Sequence, residues 1–164
     1  MPKTAYLSLG SNQGDRVANL RSAIGALQTL GRVVAESSFY ETEPVEYTQQ
    51  PWFVNCAVAL ETDKMPKQLL SAVLKIERQM GRRRSASVPK GPRLIDIDIL
   101  LFGTAVVDTP ELQIPHPAMH KRRFVLEPLA EIAPDARHPV LNRSIRELRD
   151  ALPQGQTVRR ISTT

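Results

Sequence analysis

Two aspartates, Asp96 and Asp98, interrupt an otherwise apolar run from Leu94 to Leu101 at a spacing of two. In an extended strand that spacing puts both carboxylates on one face, their Cα atoms roughly 6.5 to 7 Å apart, and sends Ile95, Ile97, Ile99 and Leu101 to the core. Two carboxylates this close repel by about 2 kcal/mol at an effective dielectric of about 20, so arginines or a divalent cation must compensate them. Oxygen donors without neighbouring His or Cys suit Mg²⁺, which takes one or two carboxylates together with phosphate oxygens and water. Alone, the pair would also suit a solvated strand edge, but the residues upstream weigh against that. Arg82, Arg83, Arg84, Lys90 and Arg93 are five cations in a stretch without an acid. Removing those five from the 22 cations leaves 17 against 17 acids, so the net charge of +5 is local. One short basic cluster, broken by Ser85, Ser87, Gly91 and Pro92, suits a clamp for a small polyanion better than a nucleic-acid coat.

A second group could recognise a flat ligand. Phe53 and Asn55 share one face of a strand whose other face carries Val54, Cys56, Val58 and Leu60. A phenyl ring stacks on a heterocycle, and a carboxamide offers its edge a donor and an acceptor, although ordinary surface packing explains such a pair as well. Phe124 is either a second stacking wall or, by helical spacing, a core residue. His116, held between Pro115 and Pro117, can donate to a phosphate. The three His are too scattered for zinc, and the lone Cys56 suits a small buried hydrophobe. Gly10-Ser11-Asn12-Gln13-Gly14 lacks the phosphate-loop pattern and reads as a turn. No nucleophile motif for covalent catalysis is present.

The elements that must position these groups follow from periodicity. Ala5 to Leu9 alternates as a strand, and Val17, Leu20, Ile24 and Leu27 then form a helix capped at Asp15 and stopped at Gly31. Arg32 to Glu41 and Phe53 to Glu61 read as strands around an irregular stretch from Thr42 to Trp52. Pro66 opens a helix lined by Leu69, Val73, Ile76 and Met80, which Gly81 ends. Arg93 to Phe102 is a strand, Gly103-Thr104 a turn, and Ala105 to Asp108 the returning arm of a hairpin. Phe124 to Ile132 is a short helix, Ser144 with Glu147 a capping box for a last one, and Val158 to Ile161 a terminal strand. This order predicts an α/β (α+β) split βαβ sandwich with helices covering one face of a largely antiparallel sheet.

With 164 residues, 41% hydrophobic and 24% charged, the chain suits one folded domain over residues 1–164. No apolar run reaches the ~18 residues of a membrane span and the start lacks a signal-peptide core, so a cytoplasmic protein without a membrane partner is expected. Monomer is the default.

Taken together, Leu9-Gly10-Ser11-Asn12, Thr42, Gln50, Phe53, Asn55, Gly81-Arg82, Gly91-Pro92-Arg93 leading to Asp96 and Asp98, and Pro115-His116-Pro117 with Arg122 and Phe124 resemble the 6-hydroxymethyl-7,8-dihydropterin pyrophosphokinase family. The resemblance runs from about Thr4 to Ile132 in order and spacing. It implies a ferredoxin-like fold, transfer of pyrophosphate from ATP to the pterin's hydroxymethyl group, release of AMP, and a place in folate biosynthesis. It further implies that Asp96 and Asp98 bind two Mg²⁺ ions and that Arg82 and Arg93 act on the phosphates. Arg84, Lys90, Ile99, His116 and Arg122 would serve ATP, while Phe53 and Phe124 sandwich the pterin and Asn55 and the backbone around Thr42 read its edge. Such a reaction needs charge neutralisation and in-line placement more than an acid or base.

Pro89-Lys90 stands where many members carry Arg-Trp, Glu43 where a Pro often lies, and Pro117 where some members have an aromatic. The competing reading is a single-stranded RNA binder, since ferredoxin-like sheets also do that. Aromatics at 5%, the absence of an RNA-binding aromatic motif and an acidic pair on the open face argue against it. An inactive paralogue would not need the intact Asp pair and arginines.

Overall fold

The computed structural model of the chain describes residues 2–44, 49–81 and 94–162. The first strand, β1 (Lys3–Ser11), runs past Leu9 and takes in Gly10 and Ser11, which sequence alone assigned to a turn. Helix α1 (Arg16–Leu27) starts as expected: the Asp15 carboxylate accepts the Ala18 N–H at 3.1 Å, satisfying one of the donors a helix start leaves open. Gly31 does not stop this helix but allows a close approach, because a Cβ there would lie 2.0 Å from the Glu61 carbonyl oxygen. The expected strand from Arg32 is two, β2 (Arg32–Glu36) and β3 (Phe39–Thr42), both paired with β4 (Phe53–Thr62). The break falls at Ser37, whose hydroxyl accepts the Ala57 N–H at 2.9 Å.

Helix α2 (Pro66–Gln79) ends before Gly81, whose φ of +88° is left-handed and favours glycine. Then come β5 (Asp96–Phe102), a ribbon of β6 (Val107–Asp108) and β7 (Gln113–Ile114), a 3-10 turn (Met119–Lys121), α3 (Arg123–Ile132), α4 (Ile145–Asp150) and β8 (Val158–Ile161). Val107 and Asp108 pair with Ile114 and Gln113, so the expected hairpin arm returns against β7 instead of β5. The predicted capping box forms, with Ser144 Oγ accepting the Glu147 N–H at 3.1 Å and Glu147 Oε1 accepting the Ser144 N–H at 2.9 Å.

The main sheet has the order β5-β1-β4-β3-β8, with β2 also on β4 and all pairings antiparallel. On one face Leu7, Leu9, Val54, Cys56, Val58, Ile97 and Ile99 pack against Leu20, Ile24 and Leu27 of α1 and Leu69, Val73 and Ile76 of α2. On the other, Ala57, Leu100 and Leu101 meet Val125, Leu126 and Leu129 of α3 and Ile145 and Leu148 of α4. Helices therefore lie on both faces, where the sequence predicted one. A bulge is part of the reason. Leu7 pairs with Ile99 but Tyr6 with Leu101, so Leu100 is an extra residue and the inward-outward alternation changes phase. Leu101, expected with Ile97 and Ile99, thus joins Leu100 under α3 and α4.

Candidate active site

Register assembles the site. Gly10 pairs with Asn55 of β4 and Asp96 of β5, Ser8 pairs with Ala57 and Asp98, and Thr42 of β3 pairs with Phe53. Directly opposed residues of paired strands point to the same side, so Asp96, Asp98, Asn55, Phe53 and Thr42 all project from the face that carries α3. Strand spacing puts Asn55 and Asp96 about 10 Å apart across Gly10, the span of a small ligand.

In the β4 half, Asn55 is buried and accepts the Thr42 hydroxyl at 2.6 Å on Oδ1, while its Nδ2 donates to the Leu9 carbonyl at 3.4 Å. The hydroxyl proton fixes which way the carboxamide points. Gly10 makes this possible, for a Cβ there would lie 2.5 Å from Asn55 Nδ2 and 3.5 Å from Phe53 Cδ1. Sequence reasoning placed Gly10 in a turn and missed this spacing role. Asn12, also buried, donates through Nδ2 to Gln50 Oε1 at 2.7 Å and the Pro51 carbonyl at 3.1 Å, tying the chain that leads into Phe53 to the end of β1.

In the β5 half, Asp96 and Asp98 are half-buried and share a face as the spacing demanded. β5 is an edge strand, and the Ile97 N–H between the two aspartates meets Glu77 Oε2 of α2 at 2.8 Å. Glu77 is 3% exposed and was not singled out from sequence. The signal was there: Leu69, Val73 and Ile76 form the buried stripe of α2, and a residue eight positions from Leu69 lies on it. Among the described residues no group of three or more His, Cys, Asp or Glu could hold a metal. Two hard carboxylates without nitrogen or sulfur remain, a set that fits Mg²⁺ shared with phosphate oxygens. Ile99 buries its side chain in the α1–α2 core, which leaves only its backbone for a ligand. Arg82, Arg84, Lys90 and Arg93 lie outside the described residues.

His116 is anchored to the same strand. Its N–H donates to the Leu100 carbonyl at 3.0 Å, and its Nδ1 accepts the Ala118 N–H at 3.2 Å, which leaves the ring proton on Nε2. The Arg122 guanidinium sits 5.5 Å from the Phe124 ring centroid, a cation–π distance. Phe124 is half-buried against the α3–α4 cluster, as its core reading expects, and its ring also carries Arg122. Cys56 is buried and burial pushes its thiol well up, as an inert core residue requires.

A family model described as 7,8-dihydro-6-hydroxymethylpterin-pyrophosphokinase matches residues 6–134. The 2-amino-4-hydroxy-6-hydroxymethyldihydropteridine pyrophosphokinase of Bacillus subtilis is 46% identical over 134 residues, 80% of this chain and 79% of that protein. The protein of the same name from Methylorubrum extorquens is 50% identical over 133 residues, covering 80% and 83%. The folic acid synthesis protein fol1 of Schizosaccharomyces pombe is 42% identical over 153 residues, 92% of this chain, but the chain spans only 21% of its length. Among solved structures, Plasmodium falciparum HPPK-DHPS with pteroate superposes with a TM-score of 0.74 at 19% identity, over 92% of this chain and 42% of that one. That likeness is one of fold, the ferredoxin-like α/β sandwich.

Proposed function

The chain belongs to the 7,8-dihydro-6-hydroxymethylpterin-pyrophosphokinase family, and from that premise we propose that it transfers pyrophosphate from ATP to 6-hydroxymethyl-7,8-dihydropterin, with release of AMP, in folate biosynthesis. Residues 1–164 act as a single domain, a cytoplasmic monomer that takes small molecules as its substrates. The observation that carries the reading is the row Asp96–Gly10–Asn55, which sets a paired-acid site and a flat-ligand site side by side on one sheet face.

The pterin lies against Phe53, with Phe124 as the opposing wall. Asn55, oriented by Thr42, supplies hydrogen bonds to the heterocycle's edge. Asp96 and Asp98 would hold Mg²⁺, two ions in all, and bound there the metal offsets phosphate charge as a Lewis acid. ATP brings about four negative charges to a face that already carries two carboxylates. Arg82 and Arg93, with Arg84, Lys90 and Arg122, supply the opposing charge, and His116 Nε2–H is a further donor to a phosphate oxygen. In the transfer the pterin's hydroxymethyl oxygen bonds to the β-phosphorus and releases its proton to solvent, the bond from that phosphorus to the oxygen it shares with the α-phosphate breaks, and AMP departs with that oxygen. The residues orient two bound reactants and need not move a proton far, since chemistry of this kind rests on placement and charge.

³¹P NMR of the protein with ATP, Mg²⁺ and the pterin is the test: AMP and a pterin diphosphate should appear together without ADP. ATP left intact, or converted to ADP, would overturn the assignment. Asp96→Ala and Asp98→Ala should each abolish Mg²⁺-dependent turnover with an unchanged circular dichroism spectrum; full turnover in both variants refutes the carboxylate roles.

A further inference from the structure

The C-terminal strand lies outside the residues that the family model matches, yet its side chains reach the segment that borders the flat-ligand half of the site. Arg159 of β8 pairs with Glu41 of β3 through a close contact to Oε1, and its guanidinium lies 5.9 Å from the centroid of the Trp52 ring. Glu41 Oε2 is also held, by Arg16 Nη2 of α1 at 3.1 Å. Arg16 returns to the same tryptophan, since its Nη1 donates to the Trp52 carbonyl at 2.8 Å. Arg16, Glu41, Arg159 and Trp52 thus close a ring of contacts that joins three elements. Just beyond it the Thr157 N–H donates to the Glu43 carboxylate at 3.3 Å, and the Glu43 N–H donates to the Thr157 carbonyl at 3.1 Å.

Position along the chain gives the ring its meaning. Thr42 directly follows Glu41 and Phe53 directly follows Trp52, and these two are a cross-strand pair on the site face. A shift of Glu41 or Trp52 is therefore passed on to Thr42 and Phe53 through one peptide unit each. We infer that Arg159 is a positioning residue for the pterin half of the site, acting through Glu41 and Trp52 to hold Thr42 and Phe53 at their spacing. The pterin as ligand rests on the function proposed above; the ring itself does not. Glu41 fits this role electrostatically, since Arg159 and then Arg16 hold its carboxyl below the usual carboxylate range, and it stays charged under ordinary conditions.

Trp52 is the only tryptophan in the chain, so its emission reports on the ring alone. Arg159→Ala should shift that emission to the red and increase its quenching by acrylamide. The same variant should raise KM for the pterin about three- to tenfold, with KM for ATP and kcat unchanged. Arg159→Lys keeps the charge on Glu41 but loses the planar stack, and should fall between the two. Unaltered emission in Arg159→Ala overturns the ring, whatever the activity. Altered emission with an unchanged pterin KM, or a KM for ATP that rises in parallel with a lower melting temperature, leaves a merely structural role and overturns the inference. A wild-type protein that transfers nothing to the pterin refutes the proposed function instead, a result the emission measurement does not depend on.

Discussion

Replacing Gly10 by alanine adds one methyl group at the centre of the site, and the structure says what it meets. The new Cβ would lie 2.5 Å from Asn55 Nδ2, closer than such contacts occur, so the carboxamide must turn away. Asn55 then loses the 2.6 Å bond from Thr42 and the longer one to the Leu9 carbonyl. Thr42 is 1% exposed, so its hydroxyl is left buried without its partner. One net hydrogen bond of about 1 kcal/mol plus the desolvation of a stranded hydroxyl gives a loss of about 2 to 3 kcal/mol. For a chain of this size that lowers the melting temperature by about 4 to 12 °C. The pterin should bind about tenfold more weakly or worse, because the carboxamide proposed to read its edge now points elsewhere. A double-mutant cycle with Asn55→Ala isolates the cause. Without the carboxamide the nearest remaining atom is Phe53 Cδ1 at 3.5 Å, an ordinary contact. There Gly10→Ala should be neutral or stabilise slightly, since alanine costs less backbone entropy than glycine in a strand. Urea unfolding of the four proteins and calorimetric titration with the pterin make the test. Equal destabilisation by Gly10→Ala in both backgrounds would refute the reasoning.

Two further outcomes are expected. Glu77→Ala should cost about 2 kcal/mol, because it strands the Ile97 N–H on an edge strand, whereas Glu77→Gln keeps an acceptor and most of the stability; equal unfolding free energies for wild type and Glu77→Ala would sink this. His138 is buried, its Nδ1 accepts the Val140 and Leu141 N–H groups, and burial, with His120 nearby, holds its pKa below the ordinary 6.5. The unfolded chain therefore takes up the proton first, so the stability His138 contributes is complete above about pH 6.5 and declines as pH falls toward its lower folded value. His138→Asn should flatten that part of the stability profile, and identical slopes for both proteins from about pH 7 to 5 would contradict the assignment.

Local signals carried a good deal of this protein. The spacing of Asp96 and Asp98, the amphipathic stripes of α1, α2 and α3, the Asp15 cap and the Ser144–Glu147 box depend on residues within a turn or a few strand positions of one another. Short-range sterics and hydrogen bonding decide such features, so they are legible without a fold. The flat-ligand pair Phe53 and Asn55 was visible for the same reason. The family resemblance added the substrates and a proposed role for each residue, which no periodicity contains.

What remained hidden depended on partners far apart in sequence. Gly10 looked like a turn because nothing local shows that Asn55 and Phe53 occupy the space a side chain would fill. The change of phase at Leu100 arises from how β5 registers against β1, and it puts Leu100 and Leu101 under the second layer of helices that the one-faced prediction lacked. Glu77 matters because α2 delivers it to the outer edge of β5, and Arg159 because β8 docks on β3, 118 positions from Glu41. The sequence by itself determined which chemistry the chain could hold and the elements that carry it, since those rest on residue type and short spacing. Only the tertiary structure decided which side chains hold those groups in place, because register and packing bring together residues whose separation along the chain carries no local signal.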